Sequence, residues 1–575
     1  MLRGFSDDAP SDAAAFEAVR SASGSADDDA LAEALPQRED AALARSRSAS
    51  ASSDGDAPGK PLDAPELGRF RTVSLGDASP KRVPPFDVDG PSAPSRYAYL
   101  LAFVAALNSA NLGYDIGVMS GAALYVQEDW DLTDVQVEIL VGILNGCAIG
   151  GAAVAHYVID HLGRRRTFTC SCVVFVFGVV GMAASQTFTD LLFFRVVTGV
   201  GVGVGLSVDP VYIAEVAPKE FRGSLVSWSE ISINVGILLG FVATFCFRDL
   251  RPGVAWRVML GCGAVMPSAL FVLTLTVMPE TPRWLVLKGR DDEARAILRK
   301  LTGSDGDLQE IRDAVARERD AAAGWRAVLR PETAGAKRAL LTGVGVAFAQ
   351  QILAEESLLF YQPRILLDMG MDRTTVLAAL IVTGVLKTGC IVVAAFYLDT
   401  LGRRPLLLVS LAGMGSALFL LGVAFAASSG LLAILCVNAY MMAFSLGIGP
   451  VTWLLASEVF PLNIRAKAMT VATVANRLTS TVVASTFLSW ARAFTYAGYF
   501  FFFSFIAAAT FLVVYRHLPE TKGKSLEEMA AFFERIGEPD VPDAAATVEN
   551  PVRRETPAPR TKIAREDSHG TQETT

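Results

Sequence analysis

Six ionisable side chains interrupt long apolar runs: Asp115, Arg195, Glu230, Glu355, Glu356 and Arg477. A charge in such a run must be neutralised, paired or turned towards water. Desolvation raises the pKa of a carboxylate such as Asp115 and a nearby cation lowers it. Arg195 is the candidate partner for Asp115, either as a tuning group or as half of a static bridge that fixes packing. Adjacent carboxamides, Gln350 and Gln351, both donate and accept hydrogen bonds, which suits a vicinal diol. Trp453 follows Gly449-Pro450, a pair that breaks a helix and supplies a hinge. His156 reads as a packing residue rather than a proton relay. No phosphate-binding loop, metal-ligand cluster or nucleophile–base constellation stands out, so neither an enzyme nor a cofactor is expected.

The elements that carry these residues are membrane helices. The chain has 575 residues, 52% of them hydrophobic and 19% charged, with a mean hydropathy of +0.38. Such a composition fits a chain whose middle is solvated by lipid. From about Tyr97 to Arg516, apolar stretches of roughly 18–25 residues recur, enough for a bilayer core of about 30 Å. Twelve spans are expected, centred near 109, 147, 177, 202, 236, 266, 351, 386, 415, 443, 478 and 506. The polar stretch 288–337 reads as surface amphipathic helices. It divides an N-terminal bundle (96–287) from a C-terminal one (338–518).

Residues 1–95 are Asp-, Ala- and Ser-rich without apolar periodicity, and 519–575 are polar and Pro-containing; both read as disordered tails. Neither a secretory signal nor an organellar presequence is expected. Arg71-Thr72-Val73-Ser74 has a basic-x-x-Ser form that short sequences often reach by chance. The tails could still serve a kinase or regulatory protein. The net charge of -8 sits largely in the N-terminal tail, and no nucleic-acid partner is implied. Seven cysteines lie in or beside apolar stretches without metal-ligand spacing, and read as small buried hydrophobes.

Basic residues cluster in the loops after spans 2, 4, 8 and 10. The positive-inside rule therefore places those loops and both termini in the cytoplasm, with Arg248, Arg251 and Arg257 as the exception. The two halves also echo each other. Asp160-x-x-Gly163-Arg164-Arg165 returns as Asp399-x-x-Gly402-Arg403-Arg404 after 239 residues. Glu215 with Arg222 returns as Glu458 with Arg465 after 243, and Pro279-Glu280-Thr281 returns as Pro519-Glu520-Thr521 after 240. Three echoes in one order imply two six-helix bundles related by a repeat, with a substrate site between them. Asp160, Arg164, Glu215, Arg222, Asp399, Arg403, Glu458 and Arg465 are expected to lock the bundles together in one state and release them in the other.

In combination, several motifs resemble the sugar porter family of the major facilitator superfamily over about residues 97–530. They are Arg195-x-x-x-Gly199-x-Gly201-x-Gly203, Pro210-Val211-Tyr212-Ile213-Ala214-Glu215, Pro279-Glu280-Thr281-Pro282-Arg283-Trp284, Gln350-Gln351 and Pro519-Glu520-Thr521-Lys522-Gly523. Gly113-Tyr114-Asp115-Ile116-Gly117, Lys387-Thr388 and Asn476-Arg477-Leu478-Thr479-Ser480 are similar to plant-type polyol and monosaccharide proton symporters.

The resemblance implies an all-α membrane fold of twelve helices and proton-coupled uptake of a monosaccharide or polyol at the plasma membrane. It implies that Asp115 takes the proton and Arg195 tunes it. It places substrate contacts on Glu230, Gln350, Gln351, Glu356, Asn476 and Arg477, with Trp453 packing on or gating the sugar. Glu230 stands where hexose porters carry Gln, and Arg477 where they carry Trp. Glu355 departs from the family pattern and a usual Gly nearby is missing. Either this span is more open to water, or Glu355 serves an unusual substrate or ion. A facilitative uniporter and a non-transporting sensor are the rival functions.

Overall fold

Lipid offers no partner for backbone N–H and C=O groups, so a spanning segment must satisfy them within its own helix. The computed structural model describes residues 95–535, except 219–220, 303–306, 322–323, 462 and 525. The side chains of 222–224, 307, 317–321, 399 and 526–527 also fall outside the described residues. Those of Arg222 and Asp399 are among them, as are the whole of the expected N-terminal tail up to 94 and the Arg71–Ser74 motif.

The first six spans are α1 (Arg96–Trp130), α2 (Asp134–Leu162), α3 (Arg164–Ala184), α4 (Phe188–Val216), α5 (Arg222–Cys246) and a sixth broken into α6 (Pro252–Cys262) and α7 (Val265–Thr276). Four short helices follow: α8 (Pro282–Leu287), α9 (Asp291–Thr302), α10 (Asp307–Ala321) and α11 (Trp325–Leu329). The second six are α12 (Ala334–Ile352) continued by α13 (Glu355–Asp368), α14 (Arg373–Leu401), α15 (Arg403–Ala426), α16 (Gly430–Leu446) continued by α17 (Ile448–Val459), α18 (Arg465–Ala484) and α19 (Phe487–His517). Inside α19 the backbone turns at Thr495, with φ 63 and ψ 156. A last helix, α20 (Leu526–Arg535), packs on α12: Arg338 donates to the Phe533 carbonyl at 3.0 Å, and Met529 and Phe533 are buried. The tail expected from 519 therefore begins as ordered structure, because two apolar residues four apart give α20 a face to bury.

Among the described residues, nine stretches are long and apolar enough to cross a membrane. The other three spans of the twelve-helix fold are α1, the broken pair α12–α13, and α18. These carry Asp115, the Gln350–Glu356 cluster and Asn476-Arg477, so their polarity belongs to what they line. Elsewhere the outward faces are apolar, as with Phe396 and Phe505, which are 76% and 72% exposed. The cysteines correct the expectation of burial. Cys170 and Cys246 are exposed, Cys147, Cys262 and Cys390 intermediate, and Cys172 and Cys436 buried. An apolar face of a membrane helix can point to lipid instead of to a core.

Within the N-terminal bundle, α1 packs along α5 and α4 packs on α2 and α3. The α1–α5 seam is made close by glycine: a Cβ at Gly117 would lie 2.9 Å from the Ile237 Cα. α2 and α4 begin with capping boxes, Thr133 with Gln136 and Thr187 with Asp190. The two bundles meet through α1, α2 and α5 on one side and α13, α14, α18 and the start of α19 on the other.

Candidate functional site

Asp115 and Arg195 face each other inside the N-terminal bundle. The Arg195 Nη1 donates to both carboxylate oxygens of Asp115, at 2.6 and 2.7 Å, and its Nε donates to the Leu140 carbonyl at 3.3 Å. Arg195 is 0% and Asp115 3% exposed. So far from water, separating the two would leave each charge uncompensated.

The bundle interface is built around Glu356. Its carboxylate accepts from Asn145 Nδ2 of α2 at 2.6 Å, from Gln351 Nε2 at 3.4 Å, and from the hydroxyl of Ser480 on α18. Arg477 Nη1 adds a charged hydrogen bond at 2.9 Å and also reaches the Asn145 Oδ1 at 3.1 Å. One carboxylate thus joins the two bundles at mid-depth. Arg477 donates Nη2 and Nε to the Asn476 Oδ1, and Asn476 donates to the Gln350 Oε1 at 2.8 Å. Gln350 in turn donates to the Gly449 carbonyl at 3.0 Å, next to the helix break. The Gln351 Oε1 is buried without a hydrogen-bond partner and offers an acceptor here.

Backbone geometry explains why Gln351 and Glu356 converge. α12 ends at Ile352 with Leu353 as its C-cap, and Ala354 takes the left-handed conformation with φ 65 before α13 begins. The break lets the side chains on either side of it aim at one point, which an unbroken helix would not.

Glu355 is 4% exposed and its Oε1 is 2.5 Å from the Nζ of Lys387 on α14, a partner that sequence reasoning did not give it. The ammonium also lies over the Phe444 ring at 5.2 Å. Glu230 on α5 is half-buried, within electrostatic reach of Lys387 and Arg477 across the interface. Trp453 is half-buried on α17. His156 is exposed and edge-on to Trp325, away from Asp115.

The echoed motifs converge at one end of each bundle. Arg164 Nη2 bonds Glu215 at 2.7 Å, Thr281 donates to Glu215 at 2.6 Å, and Glu280 accepts from the Arg164 amide at 2.7 Å. In the second half Arg403 bonds Glu458 at 2.8 Å, Thr521 donates to Glu458 at 2.6 Å, and Glu520 accepts from the Arg403 and Arg404 amides at 3.0 Å each. Asp160 is exposed and only 3.7 Å from Arg164. Gly163 and Gly402 sit at φ 93 and 92, where a side chain would be strained. They form the junctions through which those carboxylates reach the amides. Each of these pairs joins groups of one bundle. The printed echoes contained Glu280, Thr281, Glu520 and Thr521, but their roles appear only when the three motifs meet in space. Asn145 lay in no motif, and the motifs that contain Ser480 and Lys387 gave no sign of their partners Glu356 and Glu355.

Burial raises the pKa of Glu280 despite its amide donors. For Glu520 burial acts in the same direction, but four backbone amides outweigh it and the pKa is lowered.

A family profile described as "Sugar (and other) transporter" matches residues 101–533. The chain is 41% identical over 470 residues to the probable polyol transporter 4 of Arabidopsis thaliana, covering 79% of this chain and 89% of that one. It is 38% identical over 472 residues to polyol transporter 5 of the same plant, covering 77% and 87%. Among solved structures, the proton:xylose symporter XylE bound to 6-bromo-6-deoxy-D-glucose is similar with a TM-score of 0.66 and 29% identity, covering 76% and 99%. The inward open conformation of XylE from E. coli is similar at the same TM-score and 28% identity, covering 76% and 100%.

Proposed function

The chain belongs to the sugar transporter family of the major facilitator superfamily, and on that premise we propose that it carries a monosaccharide or polyol across a membrane together with a proton. The observation that carries the coupling is the sealed Asp115–Arg195 pair on α1 and α4. Protonation of Asp115 removes its attraction for Arg195, and only such a difference between states can bias the bundles towards one of them.

The substrate site lies where the bundles meet. Glu230 accepts from hydroxyls on the N-terminal side. Gln350, Gln351, Glu356 and Asn476 hold the ligand on the other, with Arg477 supplying donors and Trp453 gating. Glu356 already has four donor groups in this conformation, so a substrate hydroxyl replaces one of them instead of filling a vacancy. Clusters of arginine in the loops support a cytoplasmic placement of both termini and of the motif networks. The plasma membrane is the proposed location. In the opposite conformation, Arg164, Glu215, Arg403 and Glu458 re-pair between bundles and lock that end, together with Asp160, Arg222, Asp399 and Arg465.

Expression in a cell lacking hexose and polyol uptake tests the reading. Labelled glucose, xylose, sorbitol, mannitol and myo-inositol are offered at acid and neutral pH, with and without a protonophore. Uptake faster at acid pH and abolished by the protonophore is expected. Uptake indifferent to both would make this a uniporter and Asp115 a structural residue. No uptake at confirmed surface expression would favour a sensor.

A further inference from the structure

Among the described residues, three cations in the middle of the molecule each have their own carboxylate: Arg195 with Asp115, Lys387 with Glu355, and Arg477 with Glu356. Asp209 is left over. It is 1% exposed, in α4, immediately before the in-helix Pro210. Its Oδ2 accepts from the Ser109 hydroxyl of α1, while its buried Oδ1 makes no hydrogen bond in this conformation, the Ser229 hydroxyl of α5, itself unpaired, standing beside the carboxylate. α5 brings Ser229 and Glu230 beside it, and Glu230 adds negative charge. Among the described residues, no charged side chain of α2, α3 or α8 pairs with it. An ionised carboxylate with one oxygen orphaned and a second carboxylate nearby is a high-energy arrangement. A neutral carboxylic acid in the same place is not.

We infer that Asp209 is a second proton-carrying site, the station from which the coupled proton leaves. The inference rests on the symport reading above. In this conformation Asp115 faces a guanidinium, whereas among the described residues Asp209 faces no cation. Ser109 lies six residues before Asp115 on α1, about 9 Å nearer the end with the arginine motifs. Between the two levels α1 turns Asn111 inward, and Asn108, one residue before Ser109, borders a cavity of about 10 Å³ between α1, α3 and α4, space on the order of one water. The proton leaves the Asp115 carboxyl when Arg195 closes on it, passes by water to the Asp209 Oδ1, and is given up to water at the motif end. No other reactant is consumed.

The test uses the full chain in proteoliposomes with xylose and sorbitol as probes, whichever is carried. Counterflow, which needs no net proton movement, and sugar-driven proton entry are both recorded. Asp209→Asn is expected to keep counterflow within about twofold and lower proton entry at least about tenfold. Proton entry retained by Asp209→Asn would overturn the assignment alone. Its absence in the wild type would remove the symport reading and this inference with it. Dependence on external Na⁺ in place of pH, lost in Asp209→Asn, would make the site a sodium site and overturn the proton assignment. A measurement on the wild type covers the case in which the variant fails to fold. Protein labelled with isotopic aspartate should show a protonated aspartate carboxyl band in the infrared at neutral pH. No such band would overturn the inference.

Discussion

Lys387 and Glu355 touch at 2.5 Å with side chains 5% and 6% exposed, deep in a membrane protein. Removing one partner leaves a buried charge uncompensated, at a cost of about 3–5 kcal/mol, whereas replacing both by apolar or neutral groups of similar size is often neutral or favourable. Lys387→Met should therefore lower the denaturation midpoint in detergent strongly, and the double variant with Glu355→Gln should recover most of the loss. Equal midpoints for single and double variants would show that the pair is not energetically coupled. Asp115→Asn probes the other pair differently. It cannot take up and release a proton, so accumulation against a gradient should vanish while counterflow persists. Concentrative uptake by that variant, measured with the best-carried sugar, would sink the proton-coupling role.

At the scale of elements, the breaks matter as much as the helices. Ala354 sits at φ 65, which costs a non-glycine residue roughly 1–2 kcal/mol. Ala354→Gly relieves that strain, offset in part by the greater freedom of glycine in the unfolded chain. A small rise in thermal midpoint is expected, by up to about 1 kcal/mol, with the α12–α13 break retained. A drop would mean that the Ala354 methyl, 2% exposed as part of its residue, packs better than its backbone strains. The α14–α15 junction makes a pH-dependent prediction through Glu520. Its folded pKa is lowered, so the ionised carboxylate stabilises the junction at neutral pH, and that contribution is lost as pH falls through the lowered value. Glu520→Gln should cost stability at neutral pH, and the difference from wild type should shrink in acid. A difference that stays constant with pH would assign the effect to hydrogen-bond geometry instead of charge.

Across the whole molecule, the bundles are tied at the end where α1 stops and α2 starts. Glu138 accepts from the backbone amide and hydroxyl of Ser489 at 2.7 and 2.6 Å, Glu128 bonds Arg373 at 2.8 Å, and Asp134 pairs with Arg492. The exposed Glu128–Arg373 pair contributes little. Glu138 is 2% exposed, and hydrogen bonds to a charged group are worth about 1.5–3 kcal/mol each. Glu138→Ala should shift the closed–open balance at this end towards open by at least about tenfold. A cysteine placed beside Ser489 and probed with a membrane-impermeant thiol reagent would report it. Unchanged labelling would mean that other contacts hold this end shut.

The sequence by itself determined the fold class, the repeat and the family, because lipid forces apolar helices of fixed length and because motifs of local spacing survive as text. It also marked Asp115, Arg195, Gln350, Gln351 and Glu356 as charged or polar groups where none is cheap. Pairing was decided only in three dimensions. Lys387 and Glu355 lie 32 residues apart, and Asn145 and Glu356 are 211 apart. No period links them, so the partner that makes each charge affordable could not be read in advance. Nor could the pairing of Arg164 with Glu215 and of Arg403 with Glu458 inside their own bundles. Asp209 beside Pro210 is not legible in the text for the same reason: what sets it apart is that among the described residues no cation faces it, a property of the helices packed around it.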